Sequence, residues 1–131
     1  PILRGRYAYD AFSYATADSL LQPLLDDAQL TADQRAEVRY RLALHRHAQD
    51  RLDDALQLYQ AVLRTPGEDT SKWGPYSQLY AGDIHAAQGD TTEARSAYES
   101  AREWPTPYDY SASLDQTARL RLQEMNGRGV R

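Results

Sequence analysis

The apolar residues of this chain recur at helical spacing, in blocks separated by breakers. After Asp50, Leu52, Ala55, Leu56, Tyr59, Val62 and Leu63 fall at i, i+3, i+4, i+7, i+10 and i+11. That spacing puts them on one stripe of an α-helix. After Asp90 the stripe is Ala94, Ala97, Tyr98 and Ala101, small enough for close helix packing. Near the C-terminus Tyr110, Leu114, Ala118, Leu122 and Met125 form another. Breakers stand between the stripes, at residues 65–69, at Gly74-Pro75 and at Trp104 to Pro107. The two-residue alternation of a half-buried strand is missing. The pattern predicts an all-α chain of six or seven helices joined by short turns.

Polar residues mark where those helices begin. Thr31 followed by Gln34 is a capping box, in which the threonine hydroxyl accepts a first-turn N–H and the glutamine reaches back. Asp90 with Glu93 is an aspartate-led variant, and Asp50 before Arg51 and Leu52 is another candidate N-cap. Ser13 before Tyr14 is a further start. Thr106, Pro107 and Asp109 place a cap, a proline at the first helical position and a carboxylate facing the dipole. Pro23 falls inside a helical stretch, where it removes a hydrogen bond, so a kink or a break is expected there.

Two segments superimpose on each other. Residues 36–63 and 75–102 align at a constant offset of 39. Leu42 and Ala43 fall over Ala81 and Gly82, Asp50 over Gly89, Ala55 over Ala94, Tyr59 over Tyr98, and Val62 over Ala101. An upstream copy follows at an offset of 38, with Gly5, Ala17, Leu21, Leu24 and Leu25 in matching slots and Tyr14 in place of Leu52. This pattern resembles the tetratricopeptide repeat. That family has a small residue in mid-helix A, an aromatic three residues on, and glycine at the turn. Alanine, an aromatic and alanine then follow on helix B. Gly82, Gly89, Ala94, Tyr98 and Ala101 fit, and His85 takes the aromatic slot. The departures are Arg39 and Arg46 in large apolar slots, Ala8 in an aromatic slot, and a period longer than the usual ~34 residues.

The resemblance implies a right-handed α-solenoid of about three helical hairpins plus a C-terminal capping helix. The expected repeats span about residues 1–28, 31–65 and 71–104 in a single domain, 1–125. The capping helix is expected over about 107–125 and a flexible tail over 126–131. Gly89 is expected to permit the turn, Asp90 to cap helix B, and Gly82 to let Ala94 and its helix approach. Such arrays bind peptides or protein surfaces on a concave side lined by helix A residues. Carried over by position, the candidates are Arg6, Tyr9 and Asp10, then Glu37, Tyr40, Leu44 and His47, then Tyr76, Leu79 and Asp83. Some of the tyrosines are equally suited to packing against the next hairpin. The family's carboxylate clamp would need lysine, asparagine or arginine at slots holding Tyr40, Leu44, Leu79 and Asp83, so a clamp for a C-terminal carboxylate is not expected.

Composition narrows the function. A net charge of −4 and the absence of cysteine point away from nucleic acid, disulfides and thiolate zinc sites. The apolar runs fall short of the roughly 20 residues of a membrane span. His45 and His47, two apart on a helix, point about 200° away from each other and are poorly placed to share a metal. The pairs Asp26-Asp27 and Asp53-Asp54 read as caps and solvated faces, and phosphate loops and nucleophile elbows are missing. Arg39 and Arg46, at i and i+7, are expected to snorkel or to pair with carboxylates. Trp73 and Trp104 are expected to plug grooves between repeats.

The expectation is therefore a non-enzymatic module without cofactor that binds a protein or peptide, probing no nucleic acid and spanning no membrane. The alternative is a spacer or self-association module, such as the repeat region of a bacterial envelope assembly or exopolysaccharide export protein. The chain starts at Pro1, which suggests a fragment of a larger protein, and both the cytoplasm and a bacterial periplasm suit it.

Overall fold

The computed structural model describes residues 16, 18–64, 73–104 and 111–129. Among them every regular element is helical. A 3-10 helix spans Gln22–Asp26, followed by α1 (Ala32–Ala48), α2 (Leu52–Arg64), α3 (Trp73–Ala87), α4 (Thr91–Arg102) and α5 (Ser111–Gly129). Helices α1 and α2 form one antiparallel hairpin and α3 and α4 the next. Helix α2 packs on α3, and α5 closes against α4 and α3.

The start of α1 follows its capping chemistry. Thr31 Oγ1 accepts from the Gln34 amide at 3.1 Å, and Gln34 Oε1 accepts from the Thr31 amide at 2.9 Å. Upstream, Pro23 does break the first helix. Helical residues 18–21 give way to the 3-10 helix, with proline in its first turn.

The two inter-helix turns are copies of each other. At the first, the Asp50 amide donates to His47 O at 3.0 Å and the Arg51 amide to Arg46 O at 2.8 Å. At the second, Gly89 donates to Ala86 O at 3.2 Å and Asp90 to His85 O at 2.8 Å. This is the Schellman arrangement, which requires a left-handed residue just past the helix end. Asp50 (φ 61°) and Gly89 (φ 82°) supply it. Two expectations are corrected here. Asp50 is the left-handed turn residue rather than an N-cap, because Arg51 directly precedes α2. Asp90 occupies the N-cap position of α4, but its side chain makes no capping bond. Its carboxylate lies 3.9 Å from His85 Nδ1 instead.

The core divides into two connected clusters. The first joins Ala36, Tyr40, Ala43, Ala55, Tyr59, Val62, Ala81 and Ile84. The second joins Leu79, Ala94, Tyr98, Ala101, Leu114, Ala118 and Met125, so α5 shields the end of the second hairpin as expected of a cap. Tyr76 and Tyr80 pack against both. The approach of α3 to α4 is close: a Cβ on Gly82 would stand 2.7 Å from Tyr98 Cε1, which is too near for any side chain. Trp104 lies against Gly74 in the same way, plugging the start of α3. Gly74 and Pro75, read from sequence as breakers, lie inside the first turn of α3, where proline is tolerated. Helix α5 continues to Gly129, past the end of its apolar stripe at Met125. Tyr110, Ser13, Tyr14 and the Thr106–Asp109 cap fall outside the described residues.

Candidate functional site

Helix A residues of the two hairpins meet in an aromatic cluster between α1 and α3. Tyr40 lies 5.2 Å from Trp73, 6.4 Å from Tyr80 and 6.3 Å from Tyr59, ring centroid to centroid. Tyr80 lies 5.9 Å from Tyr59 and 6.1 Å from Tyr76, and the His47 ring stands edge-on to it at 6.2 Å. These separations suit tilted and edge-to-face aromatic pairs. His47 Nδ1 and the Tyr59 hydroxyl are 3.2 Å apart. Burial, the largest influence on each, pushes the Tyr40, Tyr59 and Tyr80 hydroxyls above their ordinary range and His47 below its own.

Asp83 sits beside this cluster. Its Oδ1 accepts from the Tyr98 hydroxyl at 2.6 Å and from Arg121 Nε of α5 at 3.1 Å. Burial foremost, then the hydrogen bond to Asp83, keeps Tyr98 protonated well above the usual phenol range. Arg121 is raised, first by the charge of Asp83.

The candidates chosen from sequence divide by position. Tyr76, His47 and Asp83 are half-buried and gather around Tyr80 and Tyr98. Tyr40, 9% exposed, and Leu79, 3% exposed, belong to the core. Leu44 packs partly buried against the first cluster. Glu37 is paired along α1 with Arg41 at 3.5 Å. Arg6, Tyr9 and Asp10 lie outside the described residues. Sequence reasoning missed Tyr80, which the i, i+4 pair of tyrosines on α3 signals, and it did not assign Trp73 to this face. It also missed Arg121 as the partner of Asp83, a contact across 38 residues that leaves no local pattern.

Other residues singled out from sequence have structural partners. Arg46 and His45 both reach the buried Asp18, Arg46 as an ion pair and His45 through Nδ1 at 2.8 Å. Burial, with the charge of Arg41, lowers His45, so a neutral imidazole donating through Nδ1 suits this contact. His45 and His47 therefore point to different partners, as their spacing predicts. Asp27 accepts from the Gln29 amide, Asp53 from Gln88, and Asp54 from Arg51. Among the described residues, no three His, Asp or Glu side chains are placed to hold a metal ion. No described helix is long and apolar enough to cross a membrane.

Stacked antiparallel helix pairs on a 39-residue period, closed by a terminal helix, define a helical-repeat scaffold. The family model described as tetratricopeptide repeat-like domain matches residues 2–126, and the chain belongs to that family. Domains of this kind mediate protein interactions and are typically non-catalytic. No curated protein and no solved structure matches the chain.

Proposed function

We propose that this domain binds a peptide or protein surface on the face shared by α1 and α3, the concave side of a right-handed array of hairpins. The observation that carries this reading is the aromatic cluster, which leaves Trp73, Tyr76 and Tyr80 half-buried rather than sealed. A rigid ring with a polar tip gives large contact area at little conformational cost, and such side chains are enriched at binding hot spots. Tyr76, Tyr80, His47 and Asp83 form the contact surface. Tyr40, Leu44 and Leu79 support it from beneath, and Glu37 extends it along α1; Arg6, Tyr9 and Asp10, outside the described residues, are assigned to the same surface by repeat position alone. No catalytic step is assigned to it.

The test is hydrogen exchange on the protein alone and with a partner captured from its source cells. Protection on α1 and α3 that a Tyr76→Ala variant of unchanged melting temperature loses is the expected result. Protection confined to α2 and α4 would move the site to the opposite face. The spacer reading has its own sign: parent and Tyr76→Ala variant alike capture no partner.

A further inference from the structure

The α1/α3 face carries an electrostatic preference that narrows the chemistry of its partner. Both hydrogen bonds to Asp83 converge on Oδ1, and Oδ2 accepts neither. The carboxylate is 24% exposed. Its charge also acts, less than burial does, on His47, Tyr59, Tyr80 and Tyr98. Asp50, at the adjoining turn, also acts on His47, and Glu124 of α5 acts on Tyr98 and Arg121. Asp83 lies three and seven residues after Tyr80 and Tyr76, on the same side of α3, and Arg121 is the cation bonded to it. His47, held below its ordinary pKa by burial, adds no charge at neutral pH. Arg41, further along α1, is committed to Glu37. The rings of Tyr76 and Tyr80 border this field, and tyrosine faces attract cations.

We propose that the face takes a basic, extended segment of a protein partner, with one lysine or arginine side chain lying against the Tyr76 and Tyr80 rings and pairing with Asp83 Oδ2. The proposal rests on the reading of this face as a peptide-binding surface. It adds what that reading lacks, a charge complement. An acidic segment would meet the Asp83 carboxylate and a guanidinium already bonded to it. A wholly apolar segment would leave the unused carboxylate oxygen desolvated, which is costly for a charged group.

The experiment selects binders from a library of short random peptides on the intact protein. Their affinities are then measured for the parent, Tyr76→Ala, Asp83→Asn and Asp50→Asn, each first checked by thermal melting. Selected peptides should be rich in lysine and arginine. Their affinity should fall about tenfold in Asp83→Asn and in Tyr76→Ala, and should weaken as salt rises. Asp50→Asn lies on an exposed turn and keeps the left-handed preference. It should weaken binding about twofold, and so tests the field even where Asp83→Asn costs stability. Neutral or acidic peptides that need Tyr76 but ignore both aspartate variants would overturn the basic partner and keep the surface. Basic peptides that bind all four proteins equally, or a selection that yields no binder, would overturn both.

Discussion

The two hairpins are the same frame closed in different ways. Tyr59 and Tyr98 hold equivalent places on helix B, and both are essentially inaccessible. Tyr59 meets a neutral imidazole, His47, at 3.2 Å, whereas Tyr98 donates to the carboxylate of Asp83 at 2.6 Å. Helix A opposite Tyr59 carries Ala43, but opposite Tyr98 it carries Gly82, because a Cβ there would strike the ring. At the turns, Gly89 enters the left-handed region without penalty, while Asp50 does so with a side chain. The second hairpin is packed more closely and is tied by charge to α5. In the first, the tyrosine of helix B closes on the His47 imidazole, and no such tie to α5 is made among the described residues. A repeat therefore fixes backbone placement and leaves the closing interactions to individual residues.

The largest separation should come from deleting the two hydroxyls. A hydrogen bond to a charged acceptor contributes about 1.5–3 kcal/mol and one between neutral groups about 0.5–1.5. Tyr98→Phe should therefore lower unfolding free energy by about 2 kcal/mol and Tyr59→Phe by about 1. Denaturant unfolding with unchanged slopes reads both values. Equal losses would mean that the closure of the two hairpins does not differ in strength.

A smaller effect lies at the turns, where the two residues are open to exchange. Gly89→Ala puts a side chain in the left-handed region at a cost of about 1–2 kcal/mol, with nothing nearby to clash or compensate. Asp50→Gly relieves the milder strain of an aspartate and should stabilise by about 0.5 kcal/mol, since greater freedom of the unfolded chain offsets part of the gain. Opposite signs in thermal melts are the expected outcome. A stabilising Gly89→Ala would contradict the Schellman geometry.

These differences also explain what could be read in advance. The period of 39 follows from alanines and tyrosines that every hairpin must place alike, so the helices and the burial of Ala55, Tyr59, Ala94 and Tyr98 were legible. The alignment of Asp50 with Gly89 was itself a sign that Asp50 is a turn residue, but aspartate is also a preferred N-cap and local chemistry does not separate the two. The clustering of Tyr40, Tyr76 and Tyr80 was half legible, because periodicity gives a helix face and not the depth at which it sits. The Asp18 contacts to His45 and Arg46, and the bond from Arg121 to Asp83, join residues far apart in sequence, and no spacing rule reports them.

The smallest effect is a dependence on pH that belongs to the first hairpin. Burial lowers His47 below the ordinary imidazole value of 6.5, against the opposing pull of Asp83 and Asp50. The folded state therefore binds the proton less readily than the unfolded chain. The contribution of a neutral His47 is fully present above the unfolded pKa and is lost as pH falls through the folded one. Stability should thus decline from about pH 6.5 downward, above the range where carboxylates begin to take up protons. His47→Gln, which cannot titrate, should flatten part of that decline and cost little at neutral pH. Hydrogen exchange at pH 5.5 should then show faster opening of α1 and α2 in the parent, with α4 and α5 unchanged. Uniform acceleration across all five helices would mean that the two hairpins open as one unit, and the contrast between them would end at their side chains.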